Sequence, residues 1–162
     1  MKNLANKDFF LKAWMFGILQ RGNSILLIKR ENTGYMDGYW AFPGWRLDPG
    51  EDVKEWLVRE LSEEVGVIVD IESPHVEHIS FMSNPEWAEW DIPQAAFIYC
   101  VRTEHFSWEP ENKEPHKCEK IEWFDLDDLP EKILPIQKEM LKKTFSKGSS
   151  IFSIIDCESI RG

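Results

Sequence analysis

Apolar and polar residues follow one another along the chain in two rhythms, one typical of strands and one typical of helices. Residues 9–20 are apolar and β-prone, the turn Arg21-Gly22-Asn23 follows, and Ser24–Arg30 is again mostly apolar. Two such runs joined by a short turn predict a β-hairpin. Further strands are predicted at residues 40–42, 67–71, 75–82, 95–101, 121–124 and 151–155.

The segment that follows the third predicted strand has the signals of an amphipathic helix. Asp52 followed by Glu55 is the pattern of a capping box, and Gly66 fits the left-handed position that ends many helices. The predicted buried stripe recurs every four residues and consists of Val53, Leu57, Leu61 and Val65. A second helix is predicted over residues 135–145, because Pro135 suits the first turn of a helix.

Strands that alternate with helices in a chain of 162 residues predict one α/β domain with a mixed central sheet. No repeat, low-complexity stretch or linker divides residues 1–162, so we expect a single domain. Loops are predicted at residues 31–39, 83–93 and 107–117. The loop 83–93 carries Trp87 and Trp90, and its composition suits either a homodimer surface or a substrate lid.

The formal net charge of −10 narrows the choice of partners. Most of this acidity serves solubility. A protein this acidic is not expected to hold a nucleic acid polymer through general contacts with its phosphates. An anionic substrate of small size would need metal ions to screen its approach.

The cysteines and the apolar runs bear on the cellular compartment. Cys100, Cys118 and Cys157 are far apart and show no Cys/His spacing of a zinc site, and reduced thiols fit a cytoplasmic setting. Lys12 interrupts the apolar run near the N-terminus, which we interpret as a strand rather than a signal peptide. No apolar run approaches membrane-spanning length, so we expect a cytoplasmic protein with no membrane contact.

Acidic residues are crowded on the first predicted helix. Glu60 and Glu64 lie four positions apart, and such a like-charge pair costs roughly 0.2–0.5 kcal/mol. They also lie near the helix C-terminus, where the helix dipole disfavours anions. A bound divalent cation would compensate for both effects. Arg59 precedes Glu63 by one turn and can orient it, and Glu51 in the preceding turn can reach either the helix face or Arg59.

At these residues the chain resembles the Nudix hydrolases. The family's box reads G-x5-E-x7-R-E-U-x-E-E-x-G-U, with U a bulky aliphatic residue, and the chain matches it from Glu51 to Val67 at every specified position after the opening glycine. Trp45 stands at that glycine, and Trp56 occupies a helix position that is usually small in the family. The segment Trp40-Ala41-Phe42-Pro43-Gly44 is similar to the family's lead-in to the box.

The resemblance implies a Nudix-like α/β/α sandwich and a hydrolase that uses Mg²⁺ or Mn²⁺. The metal ligands that it implies are the side chains of Glu60, Glu63 and Glu64 and the main-chain carbonyl of Gly44. A glutamate from the later loop often completes such a site, and either Glu119 or Glu114 would supply it here.

The same resemblance implies roles in the reaction. Glu60 or Glu63 would accept the proton of the attacking water, and Arg59 would orient Glu51. The reaction would be the hydrolysis of a phosphoanhydride, in which metal ions polarise the phosphate oxygens and a carboxylate takes the proton.

Basic and aromatic residues near the expected cleft are candidates for nucleotide binding, because cations contact phosphates and aromatic rings stack on bases. These candidates are Lys29, Arg30, Tyr35 and Tyr39. Segments 32–40 and 109–119 resemble those of MutT-type nucleoside triphosphate pyrophosphatases. That resemblance implies a (d)NTP that is cut to a monophosphate and pyrophosphate.

Three alternatives remain at this point. In the first alternative, the reaction is the same but the substrate is ADP-ribose or a nucleotide sugar. In the second, the chain is a nucleotide-binding sensor without turnover. The observation behind this alternative is that Trp45 replaces the opening glycine of the box. The third is a protein-interaction domain, for which the glutamates of the box would serve no purpose.

Overall fold

The computed structural model describes residues 10–44, 46–84, 94–146, 148 and 150–155. Within these ranges it contains nine strands and two helices. The strands are β1 (Phe10–Arg21), β2 (Ser24–Arg30), β3 (Trp40–Ala41), β4 (Ile68–Val69), β5 (His75–Asn84), β6 (Gln94–Thr103), β7 (Phe106–Ser107), β8 (Cys118–Asp125) and β9 (Phe152–Ile155). The helices are α1 (Val53–Val65) and α2 (Pro135–Phe145). Trp45, Trp87, Trp90 and Cys157 lie outside the described residues.

Seven of these strands form one mixed sheet in the order β3-β2-β1-β6-β5-β9, and β8 also pairs with β2. The predicted hairpin is confirmed but short, because β1 and β2 pair antiparallel only at Gln20–Ile25 and Arg21–Ser24. The remainder of β1 runs parallel to β6, from Phe10–Gln94 to Leu19–Thr103. β4 and β7 form a separate two-stranded ribbon.

Side chains on the two faces of the sheet belong to two separate hydrophobic clusters. Alternation along β1 sends Phe16 and Ile18 to one cluster and Met15 and Leu19 to the other. From α1, the second cluster receives Trp56, Leu57, Leu61 and Val65, whereas α2 gives the first cluster Ile136, Met140 and Leu141. One helix therefore covers each face, and the expected α/β/α sandwich with a mixed sheet is confirmed. Neither helix in the described ranges is long and apolar enough to cross a membrane.

Several strand ends differ from the predicted ones. The strand predicted at residues 67–71 shortens to β4, and the one predicted at residues 121–124 lengthens to β8, because β8 pairs with β2 over most of its length. β7 was not predicted, since two residues carry no detectable alternation.

The ends of α1 follow the predicted signals. The Asp52 carboxylate accepts hydrogen bonds from the N–H groups of Lys54 and Glu55 at 2.8 and 3.0 Å, and the Glu55 carboxylate accepts one from the Asp52 N–H at 3.0 Å. Gly66 ends the helix with φ 70°. The predicted stripe is confirmed at three positions, but Val53 is only half-buried and Trp56 is fully buried in its place.

Trp56 is buried against residues 42–44, which precede the acidic helix α1 in the chain. Gly44 has φ 83°, and a Cβ atom on it would overlap the Trp56 indole. On the neighbouring strand, a Cβ atom on Gly17 would lie 2.6 Å from Cδ1 of Leu57. Two glycines therefore let the 42–44 segment and β1 approach α1 closely, and the large Trp56 side chain fills the space that they leave.

We predict that Gly44→Ala destabilises the fold more than Gly50→Ala. Both glycines have φ near +85°, at 83° and 88°, but nothing lies within 4 Å of a Cβ on Gly50. Gly50→Ala should therefore lose about 1 kcal/mol from backbone conformation alone. Gly44→Ala should lose a further 1–3 kcal/mol or so from the overlap with Trp56, measured by urea denaturation. Equal losses for the two variants would contradict this packing argument.

Candidate active site

Arg59 is the centre of a network of carboxylates on the outer side of α1. Its Nε and Nη2 donate to the two carboxylate oxygens of Glu51 at 2.7 and 2.9 Å. Its Nη1 donates to Glu60 at 2.9 Å and to Glu63 at 3.1 Å. The contact expected between Arg59 and Glu51 is therefore present, and one guanidinium holds three acidic side chains in place.

Glu64 is largely buried where α1 meets the 42–44 segment. Its Oε2 accepts a hydrogen bond from the Gly44 N–H at 2.9 Å. Burial raises the pKa of Glu64 to about 8, and the negative charges of Glu60 and Glu114 add to this rise. The Gly44 hydrogen bond and the Lys117 charge act in the opposite direction but do not offset it. Near neutral pH this carboxylate therefore takes up a proton or needs a cation.

Glu51 and Glu60 touch the same arginine, yet their pKa values move in opposite directions. Burial raises the pKa of Glu60 despite its contact with Arg59. The hydrogen bond from Arg59 lowers the pKa of Glu51. Glu51 is therefore a permanent anion that fixes the arginine, whereas Glu60 is the better proton acceptor near neutral pH. Glu63 differs from both, because its side chain is 59% exposed.

A loop before β8 docks on the C-terminal end of α1. The N–H of Glu111 donates to the carbonyl of Val65 at 2.9 Å, and the N–H of Lys113 donates to the carbonyl of Glu64 at 3.0 Å. These bonds satisfy carbonyl groups that a helix end leaves without partners. The Asn112 side chain also donates to the carbonyl of Cys118 at 2.7 Å. The loop is therefore fixed to both α1 and β8.

Docking of this loop separates the two candidates for the additional glutamate. Glu114 lies close enough to raise the pKa of Glu64, and the Lys117 ammonium donates to it at 2.8 Å. Glu119 instead forms an ion pair with Lys29 at 2.7 Å. Lys117 was not singled out from the sequence, because a lysine in a polar loop gives no signal until the docking of the loop is known.

The four candidates for nucleotide binding lie in two different settings. Arg30 donates through Nε to the carbonyl of Tyr35 at 3.0 Å and through Nη2 to Oγ1 of Thr33 at 2.9 Å. Burial lowers the pKa of Arg30, and the Glu64 charge is among those that oppose this shift, so the two residues lie near each other. The Tyr35 ring is half-exposed and lies 5.8 Å from the Arg30 guanidinium carbon. Tyr39 packs against the core, and Lys29 is engaged by Glu119 as described above.

The donor set fits a hard divalent cation. Glu60 and Glu64 are enclosed carboxylates with raised pKa values, and Glu114 adds a third negative charge beside them. Oxygen donors of this kind are the ligands that Mg²⁺ and Mn²⁺ prefer. In the part of the chain that the structure describes, no three His, Cys, Asp or Glu side chains converge as a complete metal site. Arg59 engages Glu60 and Glu63, so a metal ion would have to compete with it for them.

The chain matches known proteins over most of its length. Residues 10–144 match the NUDIX domain. An ADP-ribose pyrophosphatase of Methanocaldococcus jannaschii is 34% identical over 115 residues, which cover 70% of this chain and 62% of that protein. An RNA pyrophosphohydrolase of Wolbachia pipientis subsp. Culex pipiens is 26% identical over 156 residues, with 83% and 86% of the two chains covered. The crystal structure of a MutT NUDIX hydrolase from Burkholderia pseudomallei has a TM-score of 0.66, 28% identity, and coverage of 82% of this chain and 97% of that one.

We predict that the stability of the protein in EDTA falls as the pH rises from 5 to 8. The folded state keeps Glu64 protonated up to its pKa of about 8, whereas the unfolded chain releases this proton near its ordinary value. The contribution of Glu64 to the free energy of unfolding is complete below its pKa in the unfolded chain and is lost once the pH reaches its pKa in the folded state. The total loss amounts to a few kcal/mol. Chemical denaturation at a series of pH values measures it.

Glu64→Gln should remove most of this fall, because the amide oxygen still accepts the Gly44 hydrogen bond and cannot ionise. Glu111→Gln is the control. Lys113 lowers the pKa of Glu111, so this residue titrates below the range in question and the variant should keep the wild-type fall. A flat wild-type profile between pH 5 and 8 would contradict the burial of Glu64.

Proposed function

The chain belongs to the Nudix hydrolase family, and from that premise we propose that it is a metal-dependent pyrophosphohydrolase of nucleoside diphosphate derivatives. The proposed substrate is a (d)NTP, which is cut to a (d)NMP and pyrophosphate. The observation that best supports metal dependence is the enclosure of Glu60 and of Glu64, the latter bonded to the Gly44 N–H. Burial raises the pKa of both carboxylates, and a divalent cation would reverse that rise.

The proposed ligands of Mg²⁺ or Mn²⁺ are Glu60, Glu63, Glu64, the Gly44 carbonyl and a glutamate of the docked loop. Glu114 and Glu119 are each paired with a lysine, but for the last position Glu114 suits better, because its charge lies close enough to Glu64 to raise the pKa of that residue. A divalent cation bound there would polarise the phosphoanhydride and lower the pKa of water. The cation would also balance the negative charge of the site, because several carboxylates lie close together there without enough positive charge from the protein.

The remaining residues of the network position groups and move a proton. Arg59 holds Glu51, Glu60 and Glu63 through its four donated bonds. We assign Glu60 rather than Glu63 as the proton acceptor, because the Glu60 side chain is enclosed, with 13% of it exposed, whereas the Glu63 side chain is 59% exposed to solvent. Glu51 keeps Arg59 in place and does not itself accept the proton.

The nucleotide is proposed to bind over the loop that follows β2. Arg30 supplies a cation near Glu64, where the phosphates must lie for hydrolysis. Tyr35 presents a half-exposed ring beside Arg30 for stacking on the base. Lys29 is a further candidate for phosphate contact once its pair with Glu119 opens, and Tyr39 supports the loop from beneath.

ADP-ribose is the second candidate substrate, because the M. jannaschii relative with 34% identity is an ADP-ribose pyrophosphatase. Both substrates present a phosphoanhydride next to a nucleoside, so the same carboxylates would serve. A panel of nucleotides with and without Mg²⁺ distinguishes them: pyrophosphate release from dNTPs supports the first proposal, and release of AMP and ribose 5-phosphate from ADP-ribose supports the second. Tight nucleotide binding without any product would favour a sensor and would contradict both.

We predict that Glu60→Gln and Glu64→Gln each lower kcat/KM by about 10²–10⁴-fold in the presence of Mg²⁺, as expected for the loss of a proton acceptor or a metal ligand. Glu55→Gln is a matched control on the same helix. It makes the same change of charge, and glutamine also suits the third helical position of a capping box, so activity should stay near that of the wild type. Comparable activity in Glu60→Gln and Glu55→Gln would contradict the assigned site.

We also predict that Tyr35→Ala raises KM for the nucleotide by roughly 5- to 150-fold, because stacking on one base contributes about 1–3 kcal/mol. The value of kcat should change little, since Tyr35 is not among the groups around Glu64. Tyr35→Phe keeps the ring and should keep the wild-type KM, which separates stacking from a hydroxyl contact. A similar rise in KM for both variants would argue against stacking.

A further inference from the structure

Lys117 lies where three parts of the fold meet. Its N–H donates to the carbonyl of Glu114 at 2.9 Å, and its own carbonyl accepts the N–H of Glu31 at 2.8 Å. Its Nζ donates to Oε1 of Glu114 at 2.8 Å. Because Glu31 directly follows Arg30, and the loop of Lys117 is docked on Glu64, the backbone fixes this lysine between the end of β2 and the end of α1.

The partners of Lys117 differ from those of the neighbouring lysines. Lys113 pairs with Glu111 at 2.7 Å and Lys120 pairs with Glu122 at 2.9 Å, and these acids lie outside the proposed metal site. The hydrogen bond with Glu114 is the largest cause of the raised pKa of Lys117, and the charges of Glu64 and Glu60 add to the rise. Its ammonium therefore lies within the field of the same carboxylates that a divalent cation would need.

We propose that Lys117 is a charge-balancing residue whose ammonium competes with the divalent cation for Glu114 and the adjacent carboxylates, and that it contacts the phosphates of the substrate once it is displaced. The second half of this inference rests on the proposed function. Two positive groups cannot share one set of oxygens without repulsion, so metal binding must weaken the bond from Lys117 to Glu114. A lysine ammonium is a flexible point charge on a long stem, which suits it to follow a phosphate group.

Mn²⁺ binding to the protein without nucleotide, followed by isothermal titration calorimetry, tests the competition. Lys117→Met should bind Mn²⁺ roughly three- to tenfold more tightly than the wild type, as expected for the removal of one screened unit charge near the ion. Lys117→Arg keeps the charge and should bind as the wild type does. Lys113→Met makes the same change of charge on the same loop and should leave the Mn²⁺ affinity unchanged.

Steady-state kinetics test the contact with phosphate. Lys117→Met should raise KM for the nucleotide several-fold at saturating Mg²⁺ with a smaller change in kcat, and Lys117→Arg should restore KM. A purely structural role of Lys117 would not produce tighter metal binding together with weaker substrate binding. Circular dichroism checks that each variant is folded, and Lys117→Gln is a second neutral variant should Lys117→Met unfold.

Unchanged or weaker Mn²⁺ binding in the neutral variants would overturn the inference, and so would an equal gain in Lys113→Met, which would indicate a general effect of net charge. An unchanged KM would overturn its second half. Failure of the proposed function is distinguishable, because Mn²⁺ binding is measured without turnover: binding with no hydrolysis of any nucleotide overturns the proposed function and the phosphate contact that rests on it, and leaves the competition between Lys117 and the metal ion standing. Absence of Mn²⁺ binding in the wild type overturns both.

Discussion

Glu64 lies at the end of α1 with its carboxylate against the N–H of Gly44, and this hydrogen bond joins the acidic helix to the loop that enters it. A carboxylate in this position has lost much of its hydration, and one backbone donor does not replace it, so its pKa rises to about 8. An enclosed carboxylate is stabilised in its charged form only by positive charge nearby. The negative charges of Glu60 and Glu114 destabilise the charged form of Glu64 further, and the positive charge of Lys117 stabilises it in part.

The packing beneath that bond determines how close the loop can come. Gly17 donates its N–H to the carbonyl of Pro43 at 2.9 Å, and the amide oxygen of Gln137 accepts the N–H of Phe42 at 2.6 Å. Trp56 fills the space beside Gly44 on the helix side. The 42–44 segment is therefore held from β1, from α1 and from α2 at once. A tryptophan where the family usually has a small residue does not disturb this arrangement, because the glycine opposite accepts its volume.

Local signals in the sequence were sufficient for both helices, for eight of the nine described strands and for the acidic face, but not for the two-residue strand β7 or for the pairing between distant segments. The capping residue Asp52, the terminal Gly66 and the four-residue spacing are read from neighbouring positions, and each is present as predicted, except that Trp56 replaces Val53 in the core. β1 pairs with β2 only at its C-terminal end and with β6 along the rest of its length, and β6 lies far away in the sequence. The place of Lys117 in the site could not be predicted from the sequence, because the position of its loop depends on tertiary hydrogen bonds to α1 rather than on composition.

The electrostatics of the whole molecule set a condition on any anionic substrate. A net charge of −10 repels a nucleotide at a distance, so approach must depend on local cations and on metal ions. Arg30, Lys29 and Lys117 cluster at the adjoining ends of β2 and β8, and each is held by a protein oxygen. Such cations can exchange a protein carboxylate or carbonyl for a phosphate oxygen at little net cost, because one charged hydrogen bond replaces another. For the proposed nucleotide substrate, a short phosphate chain would suit this local group of cations, whereas a long polyanion would extend onto a surface that repels it.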